Sequence, residues 1–406
     1  MRVGYFVYDA TGLQDYNGVT DRVGLSYDEL IQVTSINTGN LAFKYGARKL
    51  FADEVVYLTY SSDPAWVRDN VDVLVLPEAN LVNPQIDYGQ QAHFVRKVDK
   101  PVLLCGVGSQ AKMDMTPSDF PEIPSGTVTF LQEVAARTPA ILVRGEFTKE
   151  VLSRYGIDNV VALGCPSYLI NADPALWTTI IEKGSRDSVL DRLAITEGIY
   201  GQSARTPMHD KVEKLLFEYV RYRGADYVGQ MQPAVLQWGL GFDERVNRQQ
   251  LAHLNSYIAG MDVKAFEKLL RSRAQAFSRV DEWIAYMAKC SGVVGSRIHG
   301  NMMGIQAAVP AMPVVHDLRV KELTETMAIP SASLHQMNEV RRLEDLKDVF
   351  QTVVFDSDPA VLDARRRSIA ASYLDVVREL GLNPSDHLTG LAATDEAEFT
   401  VSVGEG

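Results

Sequence analysis

Short unbroken runs of aliphatic residues recur along the first half of the chain, separated by helix-patterned stretches, and this alternation constrains the fold more than any other feature. The runs lie at 55–59, 73–76, 102–105, 141–143 and 160–163, each bounded by Gly, Pro, Asp or Asn. Continuous rather than alternating apolar character suits strands covered on both faces. Helices are expected between them at 41–50, after the turn Thr38-Gly39-Asn40, at 127–137, and at 147–155, closed by Gly156 in the C′ position. A βαβα order of this kind builds a doubly wound α/β domain, whose ligands bind beyond the carboxyl ends of the strands. Three polar turns fall on that rim: Gly106-Val107-Gly108-Ser109-Gln110, Arg144-Gly145-Glu146 and Gly164-Cys165-Pro166-Ser167.

At 406 residues the chain exceeds what one hydrophobic core usually organises, so two domains are expected, at 1–175 and 186–350. The second should begin with strands at 193–196 and 234–237 around a helix at 211–221. A helix at 280–289 follows, with Ser278 as its N-cap. Its centre is 292–330: a strand at 293–294, an abrupt turn carrying Arg297 and His299, a helix of small and apolar residues at 301–308, then a strand at 312–315 running into His316, Asp317 and Arg319. Such a right-handed βαβ unit opens both carboxyl ends on one edge. Residues 358–380 read as one amphipathic helix, with Leu362, Ile369, Tyr373, Val376 and Leu380 on one face and Arg365 to Arg367 outside it. Residues 389–406 are small, polar and acidic, the composition of a disordered tail.

Net charge is 40 − 52 = −12 with no long basic block, which argues against nucleic acid as a partner. Cys105, Cys165 and Cys290 match no CxxC pattern and read as reduced thiols in a cytoplasmic protein. The first residues turn polar too soon for a signal sequence, and no apolar run approaches the roughly 20 residues that span a bilayer. The chain reads as soluble, or at most peripheral on a membrane.

Arg297 and His299 stand two apart across a strand-to-helix turn, so guanidinium and imidazole can face one ligand. The first binds carboxylate or phosphate bidentately, the second gives a proton near neutral pH, and the helix N-terminus favours an anion. The plainer reading, equally weighted, pairs the arginine with a nearby loop and the histidine with backbone. His316, Asp317, Arg319 and Lys321 form either a second anion clamp or, the preferred reading, a solvated loop. Arg144 is a third cation or the partner of Glu146 in a surface pair worth at most about 1 kcal/mol. No HxH or HExxH spacing supports a metal site. Gly106-Val107-Gly108 lacks the third glycine of a dinucleotide fingerprint and reads as close backbone approach. Thr38-Gly39-Asn40 reads as a helix cap, and Cys165 as a buried inert thiol.

With these residues in view, the chain resembles the polysaccharide pyruvyl transferase family over roughly residues 30–330. The resemblance rests on Gly295-Ser296-Arg297-Ile298-His299-Gly300 followed by Ala307-Ala308-Val309-Pro310, on Val143-Arg144-Gly145-Glu146-Phe147-Thr148 with Leu152 and Gly156-Ile157, on Gly164-Cys165-Pro166-Ser167, and on Asn37-Thr38-Gly39-Asn40. It implies a GT-B-like fold: two Rossmann-like domains facing across a cleft, with the 358–380 helix crossing back to the first. It implies transfer of the enolpyruvyl moiety of phosphoenolpyruvate to a saccharide or lipid-linked saccharide, closed as a ketal, in exopolysaccharide or cell-wall synthesis. No metal or organic cofactor is needed. The implied substrate-binding set is Arg297, Arg144, Arg319, Ser296, Gly300 and Asn301. His299 is the implied catalytic acid, protonating the methylene carbon, and Asp317 and Glu78 are guesses for the base. A lipid-linked acceptor would bring the protein to a membrane surface, and a homo-oligomer is compatible with the family. Two departures touch the acceptor side: the Gly-Asp-rich N-terminal turn is here Gly39-Asn40, and the Gly-rich turn after the third strand is Pro77-Glu78-Ala79-Asn80. The alternatives are a nucleotide-sugar glycosyltransferase of the same architecture and a non-catalytic glycan-binding relative.

Overall fold

The computed structural model describes residues 1–7, 26–34, 37–198 and 206–393. Its first sheet comprises β1 (Arg2–Phe6), β2 (Glu54–Leu58), β3 (Val73–Pro77), β4 (Val102–Val107), β5 (Ile141–Val143) and β6 (Val160–Ala162), in the order β2-β1-β3-β4-β5-β6. The second comprises β7 (Leu193–Thr196), β8 (Asp226–Val228), β9 (Ala274–Gln275), β10 (Gly292–Gly295), β11 (Ala311–Val315) and β12 (Ala332–Ser333), in the order β12-β11-β10-β7-β8-β9. Within both sheets neighbouring strands run parallel. Every residue of β3 and of β4 is buried, as unbroken aliphatic runs require when helices cover both faces. Strand order reverses between β1 and β3 in one sheet and between β7 and β10 in the other, which opens a crevice at each reversal. The protein is thus α/β, with two Rossmann-like sheets facing across a cleft in a GT-B-like arrangement.

The chain's end ties back to the first domain. The helix Pro359–Glu379 starts on Asp358 as N-cap, and its Asp363 accepts the backbone N–H groups of Trp177 and Thr178 at 2.8 and 3.1 Å. Beyond it, Asn383 donates to Asp53 and Ser385 to the carbonyl of Lys49. Residues 389–392, expected in the tail, belong to the helix Asp386–Ala392, whose Leu388 and Leu391 are fully buried. Residues 394–406 lie outside the described residues.

Three local expectations need correction, and one strand lies where none was expected. Residues 234–237 are not a strand but the middle of the helix Pro233–Leu240, between Pro233 in its first turn and Gly241 at φ 84°. A four-residue apolar run carries no period of its own, so the flanking Pro and Gly decide. Ser278 is buried without a hydrogen bond, and Arg279 holds the N-cap position of the helix Val280–Met287. Arg366, placed outside the apolar face, is fully buried and donates to the carbonyls of Tyr168 at 3.0 Å, Asp173 at 2.6 Å and Asn171. Three peptide acceptors across the domain seam satisfy the guanidinium there, though burial still lowers its pKa to about 10. β1, with Val3 and Tyr5 fully buried, was not anticipated, because the N-terminus was weighed only as a signal.

Candidate active site

The turn after β10 owes its shape to three residues. Gly295 has φ 148°, and a Cβ there would lie 2.4 Å from the carbonyl oxygen of Thr196, so no side chain fits. Asn301, fully buried, donates from Nδ2 to the carbonyls of Gly295 and Arg297, each at 2.9 Å. Gly300 packs against Thr196 with no room for a Cβ. Between these anchors Arg297 sits in extended conformation as the N-cap of the helix Ile298–Gln306.

The turn opens on a small, partly open pocket of about 80 Å³ in the cleft. From the second domain come Ser296, Arg297, His299, His316 and Arg319; from the first come Arg144, Asn37, Asn40 and Asn80. Five of the expected site residues, Arg144, Ser296, Arg297, His299 and Arg319, therefore line one pocket. Gly300 and Asn301 stand behind it, holding the turn.

The three arginines differ in how far their charge is already answered. Arg319 donates from Nε and Nη2 to Asp317 at 3.0 and 2.7 Å. Among the described residues the Nε of Arg297 lies 3.6 Å from Glu197, beyond hydrogen-bond distance, and makes no hydrogen bond. Glu197 is fully buried and accepts the N–H groups of Met231 and Gln232; burial raises its pKa and Arg297 opposes the rise. Arg144 is 5% exposed, its Nε also lacks a partner, and burial lowers its pKa. It lies so close under Gly108 that a Cβ there would stand 2.6 Å from its Cδ, which accounts for the Gly-Val-Gly turn. Glu146 pairs instead with Lys149 at 3.1 Å.

His299 sits among these cations with its Nε2 3.6 Å from the Cys165 thiol. Burial, then the charges of Arg144 and Arg297, push its pKa down to about 3. The ring is therefore a neutral imidazole at neutral pH. Cys165 is a buried thiol whose pKa burial raises, and Ser167 donates to its sulfur at 3.0 Å.

The two guesses for a base, Asp317 and Glu78, sit in different surroundings. Burial would raise the Asp317 pKa, but His316, Arg319 and the Val320 N–H overcome it and hold it at about 2. Glu78 does not line the pocket, although Ala79 and Asn80 beside it do, and it faces Lys44, whose pKa burial lowers to about 8. Asn37, Asn40 and Gln230 were missed as wall residues. The Asn37-Thr38-Gly39-Asn40 turn read as a cap, yet Thr38 makes no side-chain cap bond.

Glu322 bridges the domains behind Arg144. It accepts the Thr148 N–H at 2.7 Å and the Thr148 hydroxyl at 3.0 Å, and burial lifts its pKa to about 7 despite those bonds and Arg144. A folded-state pKa above the unfolded value means stability that is full below pH 4.5 and falls as pH rises towards 7. Glu322→Gln should remove that loss, about 3 kcal/mol at most. Thermal unfolding at pH 5 and 8 checks this: wild type should lose stability over the interval by more than the variant, and parallel curves would sink it.

Among the described residues no group of three His, Cys, Asp or Glu could hold a metal ion, and no helix is long and apolar enough to cross a membrane. No curated protein matches the chain. Among solved structures it is similar to Anabaena HepE in complex with UDP and glucose (10% identity, 94% of this chain and 99% of that one, TM-score 0.45). It is also similar to S. aureus MnaA with UDP (11%, 95% and 99%, TM-score 0.43) and to a putative UDP-N-acetylglucosamine 2-epimerase from Listeria monocytogenes (14%, 91% and 95%, TM-score 0.42). The family model for polysaccharide pyruvyl transferase matches residues 37–317, from the Asn37 turn through the Arg297 and His299 turn to Asp317. Over two-thirds of its length, and across both walls of the pocket, this chain belongs to the polysaccharide pyruvyl transferase family.

Proposed function

We propose that the protein transfers the pyruvyl group of phosphoenolpyruvate to a saccharide or lipid-linked saccharide and closes it as a ketal. The observation that carries this reading is two guanidinium groups on one pocket, Arg144 buried and Arg297 half-buried, whose Nε atoms make no hydrogen bond, beside a histidine whose pKa is depressed to about 3. A ligand with both carboxylate and phosphate supplies the missing acceptors to both arginines. Its negative charge also raises the His299 pKa, turning the imidazole into the acid that protonates the methylene carbon. Carbon C2 then becomes an oxocarbenium-like centre open to a sugar hydroxyl. The reaction asks for no metal or organic cofactor. A cytoplasmic setting suits the donor, and a lipid-linked acceptor would bring the enzyme to a membrane surface.

Isothermal titration with phosphoenolpyruvate, UDP-glucose and UDP on wild type and Arg297→Ala tests the donor. We expect phosphoenolpyruvate to bind and the substitution to weaken it at least about tenfold, or ~1.4 kcal/mol. Binding of the nucleotides without phosphoenolpyruvate would instead make this a glycosyltransferase.

A further inference from the structure

We infer that His316 is the base that takes the proton from the attacking acceptor hydroxyl. The inference rests on the pyruvyl-transfer reading and adds the acceptor half of the site to it. His316 stands at the carboxyl end of β11, in the wall of the same pocket as Arg144 and His299, with its side chain 5% exposed.

The hydrogen bonds decide its tautomer. Nδ1 lies 3.2 Å from the Val314 carbonyl, which can only accept, so Nδ1 carries the proton. Nε2 is then a lone pair, and it is buried with no hydrogen-bond partner. A buried, unpartnered imidazole nitrogen on a pocket wall lacks a donor, and an acceptor hydroxyl is one.

The surroundings fix the ring and prepare for its charged form. One face stacks on His209, with centroids 4.9 Å apart and planes 7° from parallel. His209 Nε2 is in turn 3.2 Å from Glu213 and 3.4 Å from Ser296. Burial and His209 lower the His316 pKa, while Asp317, the Val314 carbonyl and Glu213 pull it up. Asp317 Oδ2 lies 3.6 Å from His316 Nε2. Arg319 and the Val320 N–H keep that carboxylate ionised, so it meets the imidazolium once the proton has arrived. Asp317 therefore acts through His316 rather than on substrate.

A path for the acceptor leads to this ring. A second, partly open groove of about 500 Å³ shares Asp317 and Arg319 with the pocket, and its walls carry the side-chain amides of Asn83, Gln85 and Gln110. Amides both donate and accept hydrogen bonds, as sugar hydroxyls do, without the charge an anionic donor needs. On this inference the acceptor lies along this amide-lined groove, which Lys112, Asp317 and Arg319 also border, and meets His316 where the two pockets share Asp317 and Arg319, while the donor rests against Arg144 and Arg297.

The protons balance through two additions. His299 delivers its proton to C3 of phosphoenolpyruvate, and the first sugar oxygen bonds to C2 as its proton passes to His316 Nε2. His316 then returns that proton to the departing phosphate as the C2–O bond to phosphorus breaks, and hydrogen phosphate leaves. The second hydroxyl bonds to C2 and gives its proton to the freed Nε2, closing the ketal. Two hydroxyl protons leave the sugar; one matches the new methyl C–H and the other the hydrogen phosphate. Solvent recharges His299 and discharges His316.

The test is phosphate release from phosphoenolpyruvate, with methyl β-D-galactopyranoside, methyl β-D-mannopyranoside and water as nucleophiles, on wild type, His316→Gln and His316→Ala. Calorimetric phosphoenolpyruvate binding is measured in parallel. We expect both variants to lose about 100-fold in kcat while the phosphoenolpyruvate Kd stays within about threefold of wild type. Loss of binding and turnover together would make His316 a packing residue, and full turnover in His316→Gln would remove it as the base; either overturns the inference and leaves the donor reading standing. Wild type that binds no phosphoenolpyruvate, or binds it and releases no phosphate with any nucleophile, overturns the inference; the first result overturns pyruvyl transfer with it.

Discussion

Arg144→Met should leave a protein that is more stable than wild type and nearly blind to phosphoenolpyruvate. Arg144 is 5% exposed, its Nε has no partner, and its pKa is lowered by burial, so the free protein carries an incompletely satisfied buried cation. An apolar side chain of similar length relieves that desolvation, worth about 1–4 kcal/mol by analogy with buried ion pairs replaced by hydrophobic residues. At about 2–4 °C per kcal/mol the melting temperature should rise by several degrees. On the proposed reading the same change also removes the charge-assisted hydrogen bonds that Arg144 would give the donor, two of which are worth roughly 10²-fold or more in affinity. Unfolding scans and titration on one preparation measure both. A variant that is destabilised and still binds would show that Arg144 is structural.

His299→Gln should cut turnover by about 10²- to 10⁴-fold with little change in fold, because the glutamine amide keeps polarity but carries no transferable proton. The pH behaviour of wild type gives a second signature. The His299 pKa is about 3 in the free protein, against an ordinary 6.5, and a bound anion must raise it. Binding between the free and bound pKa values therefore takes up a proton, so affinity increases as pH falls through that window. Titrations of phosphoenolpyruvate in buffers of different ionisation enthalpy should show proton uptake in wild type and none from this group in His299→Gln. Equal uptake in both would remove His299 as the acid. Stability follows the same sign: the contribution of neutral His299 is complete above about pH 6.5 and is lost as pH falls towards 3, and the glutamine variant should lack that acid sensitivity.

Much of the architecture was legible from residue patterns alone. The runs at 73–76 and 102–105 announced β3 and β4, and their continuous apolar character announced a parallel sheet covered on both sides. Gly295, Arg297 and His299 announced a strand-to-helix turn, and its two polar side chains line one pocket. Errors fell where local pattern is silent: the run at 234–237 is too short to show a period, and Arg366 carries the charge of a surface residue while its acceptors lie nearly 200 positions away.

The sequence by itself determined the order of strands and helices, the parallel sheets and the residue types at the strand ends, because periodicity and turn chemistry act over a few residues. Only the tertiary structure decided that Arg144 and Arg297 line one pocket, that Asp317 is held by Arg319, and that the Nε2 of His316 makes no hydrogen bond. Desolvation and Coulomb interactions depend on neighbours in space, and for Arg144 and Arg297 those neighbours come from opposite domains.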